Sequence, residues 1–163
     1  MSLRTFVAVW GTIVVALLLT VLHLPPGAAP WLGWLRPEWV AVVLLYWVMA
    51  VPQQVGMGTA WCTGLLLDSV TGDLLGQHAL TLVFIAWAGL SLYERLRMYS
   101  LLQQALIVFV TLFAAGCFDL WVEGIVRGEA WTPLLVLPPL VSAALWPFAF
   151  VLLRGLRRRL RIG

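Results

Sequence analysis

FVAVWGTIVVALLLTVLHL, from Phe6 to Leu24, is nineteen residues without a charged side chain. About 20 apolar residues in a helix span the ~30 Å hydrocarbon core of a bilayer. A cleaved signal peptide carries a shorter apolar stretch and a small-residue cleavage site. Here the breaker Pro25-Pro26-Gly27 follows, and more apolar runs come after it. The segment reads as a retained first membrane helix. The rest of the chain agrees: 63% of its 163 residues are hydrophobic and 10% are charged. Soluble domains average roughly 45–50% apolar and about 25% charged. A water-soluble fold of this size needs more polar surface than that.

Five further apolar runs lie at about 39–51, 56–70, 78–92, 101–121 and 132–153. With the first, at 6–24, they predict an all-α membrane protein, a six-transmembrane-helix bundle. It forms one integral membrane domain over 1–153, followed by a basic tail over 154–163. Pro37 suits a helix's first turn, where its missing N–H is not needed. Pro133, Pro138 and Pro139 blur the start of the last helix, and Pro147 predicts a kink inside it. The second run rises only about 20 Å, and the turn Pro52-Gln53-Gln54-Val55 is uncharged. A re-entrant hairpin therefore stays open beside six full crossings. A short helix can also thin the bilayer locally.

All ten basic residues are arginines, and the net charge is +3. With a cytoplasmic N-terminus and six crossings, Arg4, Arg95, Arg97, Arg154, Arg157, Arg158, Arg159 and Arg161 fall inside. Only Arg36 and Arg127 fall outside. This is the positive-inside pattern, and it places both termini in the cytoplasm. Arginines in short loops and a tail suit anionic headgroups better than nucleic acid, the partner a basic chain otherwise suggests. Trp31, Trp34 and Trp39, with Trp121 and Trp131, mark one headgroup boundary. Tyr93 and Tyr99 mark the other.

Gly56, Ala60, Gly64, Asp68 and Gly72 recur every fourth residue, on one slowly drifting helix face. Small residues at this spacing let membrane helices approach closely. Gly56, Ala60, Gly64 and Gly72 are therefore expected at a tight helix contact. An acidic side chain in an apolar helix is costly and meets a partner, a cavity or water. For Asp68 the readings are a carboxylate near the headgroups, a buried hydrogen-bond anchor, or a ligand contact. An anchor would tolerate Asp68→Asn, which keeps the size and most of the acceptor capacity. Asp119 and Glu123 share a face one turn apart. With Glu38 and Asp73 they make an anionic outer surface, available to a basic partner segment or a cationic ligand.

Catalytic chemistry finds no support. There is no phosphate loop, GxSxG or HExxH, and paired carboxylates alone do not make a site. Cys62 and Cys117 lack the clustering that a zinc site or disulfide framework needs. His23 and His78 read as isolated interfacial residues. No enzyme activity, cofactor or metal is expected.

Arg36-Pro37-Glu38-Trp39-Val40, Leu45-Tyr46-Trp47, Pro52, Gly58, Gly64-Leu65-Leu66-Leu67-Asp68, Leu75-Gly76 and Ala79-Leu80 follow one known pattern. The ending Leu145-Trp146-Pro147 with its arginine-rich tail continues it. Over nearly its whole length the chain resembles the MreD family of rod shape-determining membrane proteins. The resemblance implies a non-enzymatic subunit of the bacterial cell-elongation machinery in the inner membrane. Its implied direct partner is MreC, a bitopic periplasmic protein, with MreB and the wall-synthesis enzymes reached through the complex. The family also resembles, at fold level, the S-components of energy-coupling-factor transporters, six-helix proteins with an outward vitamin pocket. That likeness raises a small-molecule binding subunit as the alternative.

Overall fold

The structure, a computed structural model, describes residues 3–22, 30–96, 98–128 and 132–161. Among them every regular element is helical. In order they are α1 (Leu3–Val21), a 3₁₀ turn (Pro30–Leu35), α2 (Trp39–Ala50), α3 (Met57–Thr71) and α4 (Gln77–Leu96). Then come α5 (Leu101–Arg127), a second 3₁₀ turn (Pro133–Val136) and α6 (Leu137–Arg159). The chain is an all-α membrane protein. Leu3–Val21, Gln77–Leu96, Leu101–Val126 and Pro133–Arg159 are long and apolar enough to cross a bilayer. α2 and α3, with 12 and 15 residues, rise only about 18 and 22 Å.

Helix ends follow the capping chemistry rather than the end of the apolar run. The run predicts α5 to stop at 121, yet the helix continues to Gly128, a left-handed C-cap with φ 68°. At its start the Ser100 hydroxyl accepts from the Gln103 N–H, and the Gln103 side chain accepts from the Ser100 N–H. This is a capping box. α4 extends to Leu96 rather than 92, and α6 to Arg159 rather than 153. Leucine and arginine are good helix formers, and basic side chains suit a helix C-terminus. Most of the expected tail is thus helical. Residues 23 and 24, Arg97 and Trp131 lie outside the described residues, as do the side chains of Trp31 and Arg127.

α2 occupies the centre. Val40, Ala41, Val42 and every residue from Leu44 to Met49 are buried, as expected of a helix apolar on all sides. It packs on α1, α4 and α6, whereas α3 packs chiefly along α4. Two buried tryptophans tie the bundle together. Trp47 donates Nε1–H to Thr12 Oγ1 on α1 at 2.8 Å. Trp146 donates to Gln104 Oε1 at 3.2 Å, and Gln104 Nε2 donates to the carbonyls of Leu96 and Tyr99. Tyr46 meets Trp47 and Phe150 edge-on, with ring centroids 5.4 and 5.7 Å apart. α6 runs unbroken through Pro147. Pro52 lies in the turn after α2.

The two ends of the bundle differ in charge. At one end the Glu38 N–H donates to Ser142 Oγ at 2.8 Å, near Asp119. At the other, Arg157 donates to the Ala50 carbonyl at 3.3 Å, beside Arg154 and Arg158. α2 runs from the acidic end to the arginine end. Leu18, Leu102, Leu106, Phe148 and Leu152 stand exposed on the flanks, the side that hydrocarbon covers in a membrane.

Among the described glycines, Gly64 lies nearest to the backbone of a neighbouring helix. A Cβ placed there would lie 2.2 Å from Ala79 Cα and 2.5 Å from Ala79 N. Both are backbone atoms of α4, so the side chain has nowhere to go unless the helices part. Gly89 makes a similar close contact on the other side of α4, where a Cβ would come within 2.8 Å of Leu45 Cδ1. Gly56 meets only Leu90 at 3.9 Å. Overpacking costs about 1–3 kcal/mol, and close small-residue contacts tolerate it poorly. Gly64→Leu is expected to lower the melting temperature in detergent well below that of Leu66→Ala, since Leu66 is 45% exposed. Gly64→Ala should fall between them. Equal melting temperatures for the first two would contradict this contact.

Candidate functional site

The α3–α4 turn is built on one carboxylate. Asp68, 1% exposed, sits in the last turn of α3. Its Oδ2 accepts from Gly76 N–H at 2.7 Å, and its Oδ1 accepts from His78 N–H at 3.0 Å. The His78 ring adds Nδ1 to Oδ1 at 2.8 Å. A carboxylate only accepts, so Nδ1 carries the hydrogen. These donors include backbone N–H groups of the first turn of α4, which have no partner within their own helix, and the negative charge suits the helix dipole there. Two glycines shape the intervening turn. Gly72 (φ 75°) caps α3 and Gly76 (φ 99°) presents its N–H to Asp68, both in the left-handed region that glycine enters freely.

Beside this turn a cavity of about 300 Å³ opens at the acidic end. Its polar lining comes from five elements of the fold. Thr20 belongs to α1, Glu38 precedes α2, Thr71 closes α3, Gln77, His78 and Thr81 start α4, and Asp119 and Glu123 stand on α5. Pro37 and Trp39 also line it. Thr81 donates to Asp119 Oδ1, and Gln77 Nε2 donates to Glu123 Oε1 at 3.4 Å. Arg36 does not line the cavity. It turns back to cap α1, donating to the carbonyls of Thr20 and Leu22, the latter at 2.8 Å.

Among the residues singled out from the sequence, the fold brings Glu38, Asp119 and Glu123 into one cavity. Asp73 is absent from its lining and sits in the α3–α4 turn. Ala60, Gly64 and Asp68 share the buried face of α3, while Gly56 and Gly72 are its two end caps. His78, read from the sequence as isolated, is bound to Asp68. Gln77 and Thr81 were not singled out at all, although they are polar residues four apart at the start of an apolar helix. That spacing was the available signal. No group of three His, Cys, Asp or Glu among the described residues is arranged to hold a metal ion.

The two Asp68 oxygens serve different donors, which changes the expectation for Asp68→Asn. An amide has one acceptor, and its NH₂ would face either Gly76 N–H or the His78 donors. A buried donor left unpaired costs about 1–3 kcal/mol. Asp68→Asn is expected to lower the melting temperature and Asp68→Leu to lower it further. A wild-type melting temperature in the leucine variant would show that the anchor contributes nothing.

Glu38 lies just before α2. Burial, and second the charge of Asp119, pushes its carboxyl up from an ordinary 4.5 to about 8. The folded chain therefore holds this proton more tightly than the unfolded chain. The resulting stability is complete below about 4.5 and is lost as pH rises through about 8. Melting temperature is expected to fall across that window, and Glu38→Gln to flatten the fall. An unchanged slope in the glutamine variant would assign the effect to another group.

The chain matches the family model of rod shape-determining protein MreD over residues 2–156. It is similar to the rod shape-determining protein MreD of Haemophilus influenzae, with 34% identity over 161 residues, covering 96% of this chain and 97% of that protein. No solved structure matches it significantly. By family model and by sequence identity over nearly its full length, this all-helical membrane chain belongs to the MreD family of rod shape-determining proteins.

Proposed function

We propose that this chain is a non-enzymatic membrane scaffold of the bacterial cell-elongation machinery. It binds MreC directly, and MreB and the elongation-specific wall synthases join through the complex. The observation that carries this reading is the use made of the polar side chains. Asp68 joins α3 to α4, Arg36 joins the segment before α2 to α1, and Trp47 joins α2 to α1. Trp146 joins α6 to α5 through Gln104, whose amide also holds the α4–α5 turn. These bonds make a rigid body, and the remaining charge is sorted to its two ends. A rigid bundle with an acidic surface at one end and a basic one at the other suits holding partners on both sides of a membrane.

In this reading the chain lies in the inner membrane with six crossings and both termini cytoplasmic, so the arginine end faces inward. The course of α2 supports it, because Glu38 and Ala50 lie at opposite ends of the bundle. Twelve residues suffice there because protein rather than lipid surrounds α2. The hydrocarbon thickness constrains lipid-facing helices, not a buried one. The cavity at the acidic end favours a second reading, a small-molecule binding subunit resembling the transporter S-components. That reading predicts a bound metabolite and ligand-dependent thermal stabilisation.

Affinity purification of the full-length chain from native membranes is expected to bring down MreC. Its absence from the captured material would defeat the scaffold reading. Topology is tested in a Cys62→Ala, Cys117→Ala background. A cysteine at the exposed Gln53 is expected to react only with reagent supplied from the cytoplasmic side. Labelling from outside would restore the re-entrant hairpin.

A further inference from the structure

We propose that the cavity at the acidic end is a binding site for an organic cation, a guanidinium or alkylammonium group held between Glu38, Asp119 and Glu123. No arginine lines the cavity, and His78, the one basic side chain in its wall, is committed to Asp68 through Nδ1 at 2.8 Å. The nearby Arg36 is committed to the carbonyls at the end of α1. The partners that the carboxylates do have are neutral: Asp119 accepts from the Thr81 hydroxyl and Glu123 from the Gln77 amide. The carboxyl of Glu38 has no hydrogen-bond partner among the described residues.

Gln77 supplies the independent sign of a missing donor. It is 5% exposed, it lines the cavity, and its Oε1 accepts no hydrogen bond. Turning the amide over would not help, because it would set Oε1 against the Glu123 carboxylate. The orphan acceptor therefore follows from the arrangement of the site. Buried polar groups are otherwise almost always satisfied.

Once Glu38 gives up its proton as a cation enters, the free polar capacity of this site is acceptor capacity, which calls for a ligand that only donates. A small hard metal ion fits poorly, since it draws its carboxylates to within about 2.0–2.6 Å. The described residues hold no group of three acidic or histidine side chains so arranged. Acceptors spread around about 300 Å³ suit a larger group with N–H donors in several directions. Guanidinium offers five and ammonium three. The cation could be a side chain of a bound protein segment or a free small molecule. The first source rests on the scaffold reading, but the site itself does not.

The test uses the purified full-length chain with N-acetyl-arginine amide, and with N-acetyl-citrulline amide as its uncharged counterpart. The arginine probe is expected to raise Tm saturably by roughly 3–6 °C, and the citrulline probe to leave it unchanged. Glu38→Gln and Asp119→Asn should weaken the arginine response at least about tenfold. Each should leave the Tm of the free protein unchanged or higher, because glutamine copies the neutral form that burial already favours at Glu38 and asparagine keeps an acceptor for Thr81. A purely structural role for these carboxylates would lower it. No response in the folded wild type, equal responses to both probes, or a response to calcium chloride alone would overturn the proposal. MreC capture then separates the sources. Variants that lose both the probe and MreC indicate a partner side chain, and variants that lose only the probe indicate a free molecule. Failure of the wild type to capture MreC would defeat the scaffold reading without touching the probe result.

Discussion

The first turn of α4 starts inside the protein, where its free N–H groups have little water to bond. Asp68 supplies the acceptors from across the turn. Hydrogen bonds to a charged group contribute about 1.5–3 kcal/mol each, against a typical total stability of roughly 5–15 kcal/mol. Two backbone bonds of this kind weigh heavily in the ledger. They hold the start of α4 against the end of α3, and that register brings Gly64 onto the backbone of Ala79. The same turn of α4 carries Gln77, His78 and Thr81 into the cavity wall. A shift there would loosen the helix contact and the cavity together.

Within the bundle α2 plays the part of a core strut. It is nearly continuous apolar sequence, and burial on all sides lets it be shorter than a lipid-facing helix. Hydrophobicity does not orient such a helix, because every face is alike. Its rotation is set instead by the Trp47 hydrogen bond to Thr12 and by the edge-on contacts of Tyr46. Gly89 contributes by letting α4 come close to Leu45 and Val48. The indole of Trp146 does for α6 what that of Trp47 does for α2, satisfying one polar atom while filling a large volume.

The charged residues divide by work as well as by position. Arg36 and Asp68 are spent on helix ends, a cation at the C-terminus of α1 and an anion at the N-terminus of α4, each matching the local dipole. Asp119 and Glu123 each take one neutral donor from α4, Thr81 and Gln77, and Glu38 caps no helix with its side chain. Carboxylates gathered in a part-buried cavity raise the energy of the free protein, and such arrangements are characteristic of sites that bind something. The arginines of α6 lie at the other end, where one of them also closes on the Ala50 carbonyl.

Class and helix order were legible in the sequence, because long apolar runs leave few alternatives in a chain this poor in charge. Capping signals could also be read locally: Gly72, Gly76 and Gly128 take the left-handed conformation that ends helices and shapes turns. The fourfold spacing from Gly56 to Gly72 pointed to one face of α3, but not to Ala79 as its neighbour. What lay beyond reach was every relation between helices distant in sequence. His78 looked isolated until the turn brought it to Asp68, and Gln77 looked ordinary until α5 set Glu123 beside it. Glu38, Asp119 and Glu123 share a cavity across 85 positions of sequence. Periodicity reports which side of a helix is buried, since that depends on each residue's own polarity. Which helix it meets, and at what height, depends on side-chain shapes and hydrogen bonds that exist only once the bundle has closed.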